Sequence, residues 1–324
     1  MKKTKLVTAL WRCSGHPFYG HEEIARLQRY LHSLTQSICK TEVDIVCYAN
    51  STAINILKNE IRKLGIKNIE LKHKELIDIG FSKRMIEVKE SNGDKFNFYH
   101  EVDWAKIDLL EYELDDAYEY IYWIDSGLSH RGLWPVSNNP NRELITGMSG
   151  NPHDYEFTGI FCEELFPKIN EFVGDKLLDI GNKQLWHPTY SFCPALEISN
   201  DEYMQNFISQ TTGGIIGGHI SKLPDFIERF KVVAGKMLDK NQIANHEALM
   251  SVIRQQNLKD YKCFHFGTWY HRDMPLCMHT VTYEDVKDQV SFSDFFENLL
   301  IGNEDLYKPN NTAPFYAEYD KDET

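Results

Sequence analysis

The chain has 324 residues, of which 42% are hydrophobic and 26% charged, an ordinary composition for a soluble globular protein and long enough for one α/β domain with insertions. Its net charge of −13, from 35 basic and 48 acidic residues, argues against a broad nucleic-acid-binding surface but leaves room for a local basic pocket around a phosphate. No run of about 18 apolar residues is present to span a membrane, and the apolar part of the basic N-terminal stretch, Leu6 to Trp11, is too short for a signal sequence.

Seven cysteines without a C-x-x-C pair read as reduced, scattered thiols. The expected setting is therefore the cytoplasm.

In chain order, Leu6 to Leu10 reads as a first strand, followed by a loop with Gly15, Pro17 and Gly20. Ile24, Leu27, Leu31, Leu34 and Ile38 keep a helical period. Val43 to Tyr48 reads as a second strand. Asn50 or Ser51 then caps a helix whose face carries Ile54, Leu57, Ile61 and Leu64 and whose end is marked by Gly65. A short strand is expected at Asn68 to Lys72. A helix follows from Asp103 to Asp116 and feeds an apolar strand, Tyr120-Ile-Tyr-Trp-Ile, that runs into Asp125-Ser126-Gly127.

This strand–helix alternation predicts a mainly parallel sheet covered by helices, with residues 1–130 as a nucleotide-binding half. Residues 131–200 read as loops and short elements, with Asn138 to Arg142 and Trp186 to Tyr190 among them. Beyond them lie Gly213-Gly-Ile-Ile-Gly-Gly218, a helix opened by Pro224, another over about 241–256, and a last strand, Tyr261 to Phe266. The tail from 291 to 324 is acidic at its end.

Four constellations carry chemistry, each with a plain structural alternative. Asp125 stands at a strand end, where α/β sheets place ligands. It is either an oxygen ligand for a divalent cation that clamps phosphates, or the acceptor of an Asx turn with Ser126 and Gly127. The glycines at 213, 214, 217 and 218 either expose backbone to a ligand or allow tight packing. Glu247, in Asn245-His246-Glu247 inside the predicted helix, is either a general base or part of a solvated face. His265 and Arg272, in and beyond the last strand, offer a metal ligand and a phosphate partner, though His265 suits a core position equally well. Lys106 and Arg12 are nucleotide contacts or plain surface cations.

Taken in order, Val7-Thr-Ala-Leu-Trp-Arg12, the helix with Lys106, Tyr122-Trp-Ile-Asp-Ser-Gly127, the glycine run, Asn-His-Glu and His265 resemble the GT-A glycosyltransferases. Within them the chain most resembles the HtrL/YibB-like group found with lipopolysaccharide and capsule genes. The likeness covers about residues 5–275.

The resemblance implies a GT-A-like, Rossmann-like mixed sheet flanked by helices, in one domain over 1–290 with its acceptor half at 131–290. It implies transfer of a sugar from a nucleotide sugar, UDP-linked by expectation, to a hydroxyl of a glycan or lipid-linked acceptor, with peripheral association at the inner membrane face. Glu247 would be the base. Asp125 and His265 would hold Mn²⁺ or Mg²⁺, although Gly127 stands where a second acid is usual. Thr8, Ala9, Arg12 and Lys106 would line the nucleotide. Ser126, Gly127, Gly213, Gly214, Gly217, His246 and Arg272 would complete the donor site. A non-catalytic relative, or a nucleotide-sugar pyrophosphorylase, is the alternative; inversion and retention both stay open.

Overall fold

A computed structural model describes residues 3–11, 38–92, 99–127, 165–181 and 213–265, and isolated positions between 27 and 35. The first strand β1 (Thr4–Leu10) and the second, β2 (Asp44–Ala49), pair in parallel. Helix α1 (Ser51–Leu64) follows directly. The Asn50 side chain accepts from the amide of Ala53 at its start, and Gly65, at φ +66°, closes its end by donating its N–H to the Arg62 and Ile61 carbonyls of the last turn. Both caps are local, as is usual for an autonomous helix boundary.

After β3 (Ile69–His73) the chain forms α2 (Gly80–Asn92), a helix absent from the sequence expectation. Next come α3 (Tyr99–Tyr112), which starts four residues earlier than Asp103, and β4 (Tyr120–Ile124). In the segment read as loops, α4 (Leu165–Val173) and β5 (Leu177–Gly181) are regular. The glycine run forms β6 (Ile215–His219), followed by α5 (Leu223–Asp239), α6 (His246–Gln256) and β7 (Tyr261–His265).

The strands make one seven-stranded sheet in the order β3-β2-β1-β4-β6-β5-β7. β6 runs antiparallel to β4 and β5, and the other pairings are parallel. This is the mainly parallel mixed sheet that the alternation predicts. The strands expected from the nucleotide half and those from the later half share it.

Both faces are covered. Leu6, Ile45, Tyr122 and Ile124 face Leu57 of α1 and Phe166 of α4. Val7, Val46, Ile121 and Trp123 face Trp104 and Ile107 of α3, Phe230 of α5 and Leu249 of α6. Burial on both faces explains why β4 reads as an unbroken apolar run rather than an alternating one.

Because β6 is antiparallel, its first residues meet the end of β4. The register pairs Ile124 with Ile215, and the Asp125 amide donates to the Gly214 carbonyl at 2.9 Å. The same reversal carries Gly217 into mid-sheet, opposite Tyr122.

A charged cluster at the carboxyl edge

The side chain of Asp125 emerges where β4 ends, on the face shared by Trp123, two residues back. The Trp123 indole Nε1 donates to Asp125 Oδ1 at 2.7 Å, which fixes the carboxylate. Lys106, on α3, reaches the same group, with Nζ 3.0 Å from Oδ1 and 3.3 Å from Oδ2. It also donates to the Gly213 carbonyl at 3.1 Å and lies 3.4 Å from His246 Nε2. An ammonium has three protons and no lone pair. Asp125, Gly213 and His246 take up all three.

The histidine follows from this. If Nε2 accepts from Lys106, the ring proton sits on Nδ1, and Nδ1 faces Asp103 Oδ2 at 3.4 Å. Asp103 also lies 3.5 Å from Lys106, one helical turn away on α3. Burial works against the Lys106 charge, but Asp125 and Asp103 outweigh it and raise its pKa above the ordinary lysine value. Burial likewise opposes ionisation of Asp103, yet His246 and Lys106 hold that carboxyl well below the usual range.

The Asn-His-Glu segment opens a helix rather than lying in its middle. Asn245 is the N-cap of α6: its side chain accepts from the Glu247 amide at 2.8 Å, so His246 and Glu247 form the first turn. Trp104 holds this turn against α3 by donating Nε1 to the Ala244 carbonyl at 2.9 Å. The Glu247 carboxylate in turn accepts from the Gly213 amide at 2.7 Å.

The fold therefore brings together Lys106, Asp125, Gly213, Gly214, His246 and Glu247. Ser126 and Gly127 follow Asp125 and are buried. Thr8 and Ala9 are buried near the carboxyl end of β1, on opposite faces of the sheet; Val7, two residues before Ala9, pairs with Trp123, two residues before Asp125. Gly217 is separate from the cluster: a Cβ there would lie 2.2 Å from the Ile121 carbonyl oxygen, so its lack of a side chain serves strand packing. Arg12 and Arg272 lie outside the described residues, as does the side chain of His265, whose backbone ends β7.

Three contributors escaped the sequence reading. Asp103 looks like an ordinary surface partner of Lys106 at helical spacing. Trp123 reads only as core. Tyr30 has no motif at all, yet its ring covers Gly127, where a Cβ would come within 2.4 Å of Cε1.

A divalent cation of the expected kind needs several converging oxygens. Asp125 supplies one carboxylate, but Trp123 and Lys106 already hold both its oxygens. The Tyr30 ring occupies the space that a side chain at 127 would need. Among the described residues no group of three or more His, Cys, Asp or Glu is arranged to hold a metal. Of the two expected ligands only the Asp125 side chain is described, and the described residues by themselves do not make up a Mn²⁺ or Mg²⁺ site there.

No protein-family model and no curated protein matches the chain. Among solved structures it is similar to mouse xyloside xylosyltransferase 1 in its apo form, at 9% identity and a TM-score of 0.43, over 81% of this chain and 85% of that one. It is also similar to 4-diphosphocytidyl-2C-methyl-D-erythritol synthase from Anaerococcus prevotii, at 12% identity and a TM-score of 0.39, over 82% of this chain and 87% of that one. No helix among the described residues is long and apolar enough to cross a membrane.

Proposed function

We infer that the chain is a GT-A-type glycosyltransferase, moving a sugar from a nucleotide sugar to an acceptor hydroxyl. The observation that carries this reading is convergence. Segments around 106, 125, 213 and 246, separated by up to 140 residues, meet at one point on the carboxyl edge of the sheet. That edge is where open α/β sheets bind ligands.

In this reading the bond from the anomeric carbon to the diphosphate oxygen breaks as a bond to the acceptor oxygen forms, and the acceptor proton passes to Glu247. The Gly213 amide holds the Glu247 carboxylate in place for that role. The finer reading, from motif order alone, makes the donor UDP-linked and the acceptor a growing surface polysaccharide or lipopolysaccharide, as in the HtrL/YibB-like group.

The test is a thermal-shift and hydrolysis screen of the whole chain against UDP-, GDP- and ADP-sugars and their nucleoside diphosphates. A rise in melting temperature with one nucleotide, and slow release of that nucleotide from its sugar, are expected. No binding and no hydrolysis across the panel would overturn the reading.

One observation favours a second reading, a non-catalytic nucleotide-sugar or glycan binder. The Glu247 carboxylate has a structural task at Gly213 that needs no chemistry. Binding without turnover on any donor–acceptor pair would select it.

A further inference from the structure

Resting on the nucleotide-sugar reading above, we propose that the Lys106 ammonium is the resident cation of this site: it takes the position at Asp125 that a divalent metal would otherwise occupy, so ligands bind here without metal. Four observations converge on this.

Nζ touches both oxygens of Asp125, at 3.0 and 3.3 Å, as a bridging cation does. Its position is also built. The Gly213 carbonyl at 3.1 Å, His246 Nε2 at 3.4 Å and Asp103 at 3.5 Å surround the ammonium, and the side chain is only 5% exposed, so it cannot swing clear without leaving buried partners behind. A second cation arriving at Asp125 would sit against this fixed positive charge, which disfavours it. Finally, the Tyr30 ring fills the place from which a second acid at 127 would have to approach.

The arrangement changes the task of Asp125. Its side chain is 37% exposed while Lys106 behind it is buried. An ionised carboxylate accepts hydrogen bonds and donates none. With its inner side held by Lys106 and Trp123, the outer edge of Asp125 is an acceptor for ligand hydroxyls, such as those of a ribose or a hexose. Asp103 is then a positioning residue, because it aligns both Lys106 and His246 without reaching the open edge.

The experiment uses the whole chain stripped with EDTA. Free Mn²⁺ is titrated against the protein by electron paramagnetic resonance, and UDP binding is measured calorimetrically in EDTA and in excess Mn²⁺. The wild type is expected to show no Asp125-dependent Mn²⁺ site tighter than about 1 mM, and a UDP affinity that differs less than about threefold between the two buffers. Lys106→Met, which removes the charge at similar length, is expected to gain a Mn²⁺ site that a further Asp125→Asn removes.

A wild-type Mn²⁺ site lost in Asp125→Asn would overturn the proposal, as would UDP binding that Mn²⁺ strengthens about tenfold. A folded Lys106→Met that gains no site would do the same. A Mn²⁺ site that survives Asp125→Asn lies elsewhere and supports the proposal. Should UDP bind in neither buffer, the nucleotide-sugar reading fails while the Mn²⁺ titration still decides this one. Should Lys106→Met not fold, the wild-type titrations decide.

Discussion

The Gly213 amide donates to the Glu247 carboxylate across 2.7 Å and so ties the approach to β6 to the first turn of α6. One bond thus serves both the sheet edge and the candidate base. Substitutions can separate the two roles, because glutamine keeps a carbonyl acceptor but loses the basic charge.

Glu247→Gln is therefore expected to keep the fold, with a melting temperature close to wild type, and to lower the transfer rate by about 10²–10⁴-fold. Nucleotide release from a turned-over donor measures it. An unchanged rate would remove Glu247 from the chemistry.

Gly213→Ala places a methyl group 1.8 Å from His246 Nε2, an overlap that neither group can absorb in place. His246 must leave, and Lys106 loses one acceptor with it. We expect loss of nucleotide binding and a lower melting temperature. Adding His246→Ala should restore part of the stability but not the binding. A double-mutant cycle by denaturant unfolding checks this, and additive effects would refute it.

Gly217→Ala tests the sheet rather than the site. The residue has φ +143°, and a Cβ would meet the Ile121 carbonyl oxygen at 2.2 Å and Tyr122 Cα at 2.7 Å. We expect destabilisation of about 3 kcal/mol or more, or insoluble protein. A stable variant with reduced donor affinity would instead place Gly217 in the ligand site.

Two groups of α3, a buried carboxyl and a partly buried imidazole, set an opposed pH dependence. Burial pushes the Asp108 carboxyl from 3.8 up to about 6, against the Phe81 amide that it accepts at 3.1 Å. The folded state therefore holds this proton longer than the unfolded state, and stability falls as pH rises from about 4 through 6. Burial pushes His100 from 6.5 down to about 4, with Asp103 opposing. Here the unfolded state takes the proton first, so stability falls as pH drops from 6.5 towards 4. In the wild type the two trends partly cancel.

Asp108→Asn keeps an acceptor for Phe81 and removes the first trend. It is expected to be more stable than wild type at pH 7.5 by about 2 kcal/mol, and equal to it near pH 4. Urea unfolding across that range checks it. A variant less stable at pH 7.5 would mean that the Asp108 charge supports the fold.

The parts of the fold that could be read in advance are those whose signals are local. Helix α1 is bounded by Asn50 and Gly65, each acting within a few residues. β4 is an uninterrupted apolar run. Helix α2 carries Phe81, Met85 and Val88 on its buried side, but it begins on a glycine, and the acceptor for its Phe81 amide is Asp108, 27 residues away. No neighbouring residue announces that start. The candidate site divides in the same way. Asp125, Lys106, His246 and Glu247 stand out by position and motif order. Asp103 and Tyr30 matter only through contacts that three-dimensional packing creates, with Asp103 turned to a histidine on α6 and Tyr30 laid over Gly127.

The reversed strand has a consequence for how the site comes into being. Lys106 and Asp125 are both made before the residues that complete their cluster, Gly213 coming 107 residues after Lys106 and His246 140 residues after it. Until β6 inserts beside β4, the lysine has no carbonyl or imidazole to hold it, and Glu247 has no amide to orient it. Ligand binding at this cluster would thus report completion of the sheet, and a nascent chain stopped before residue 213 would lack the site.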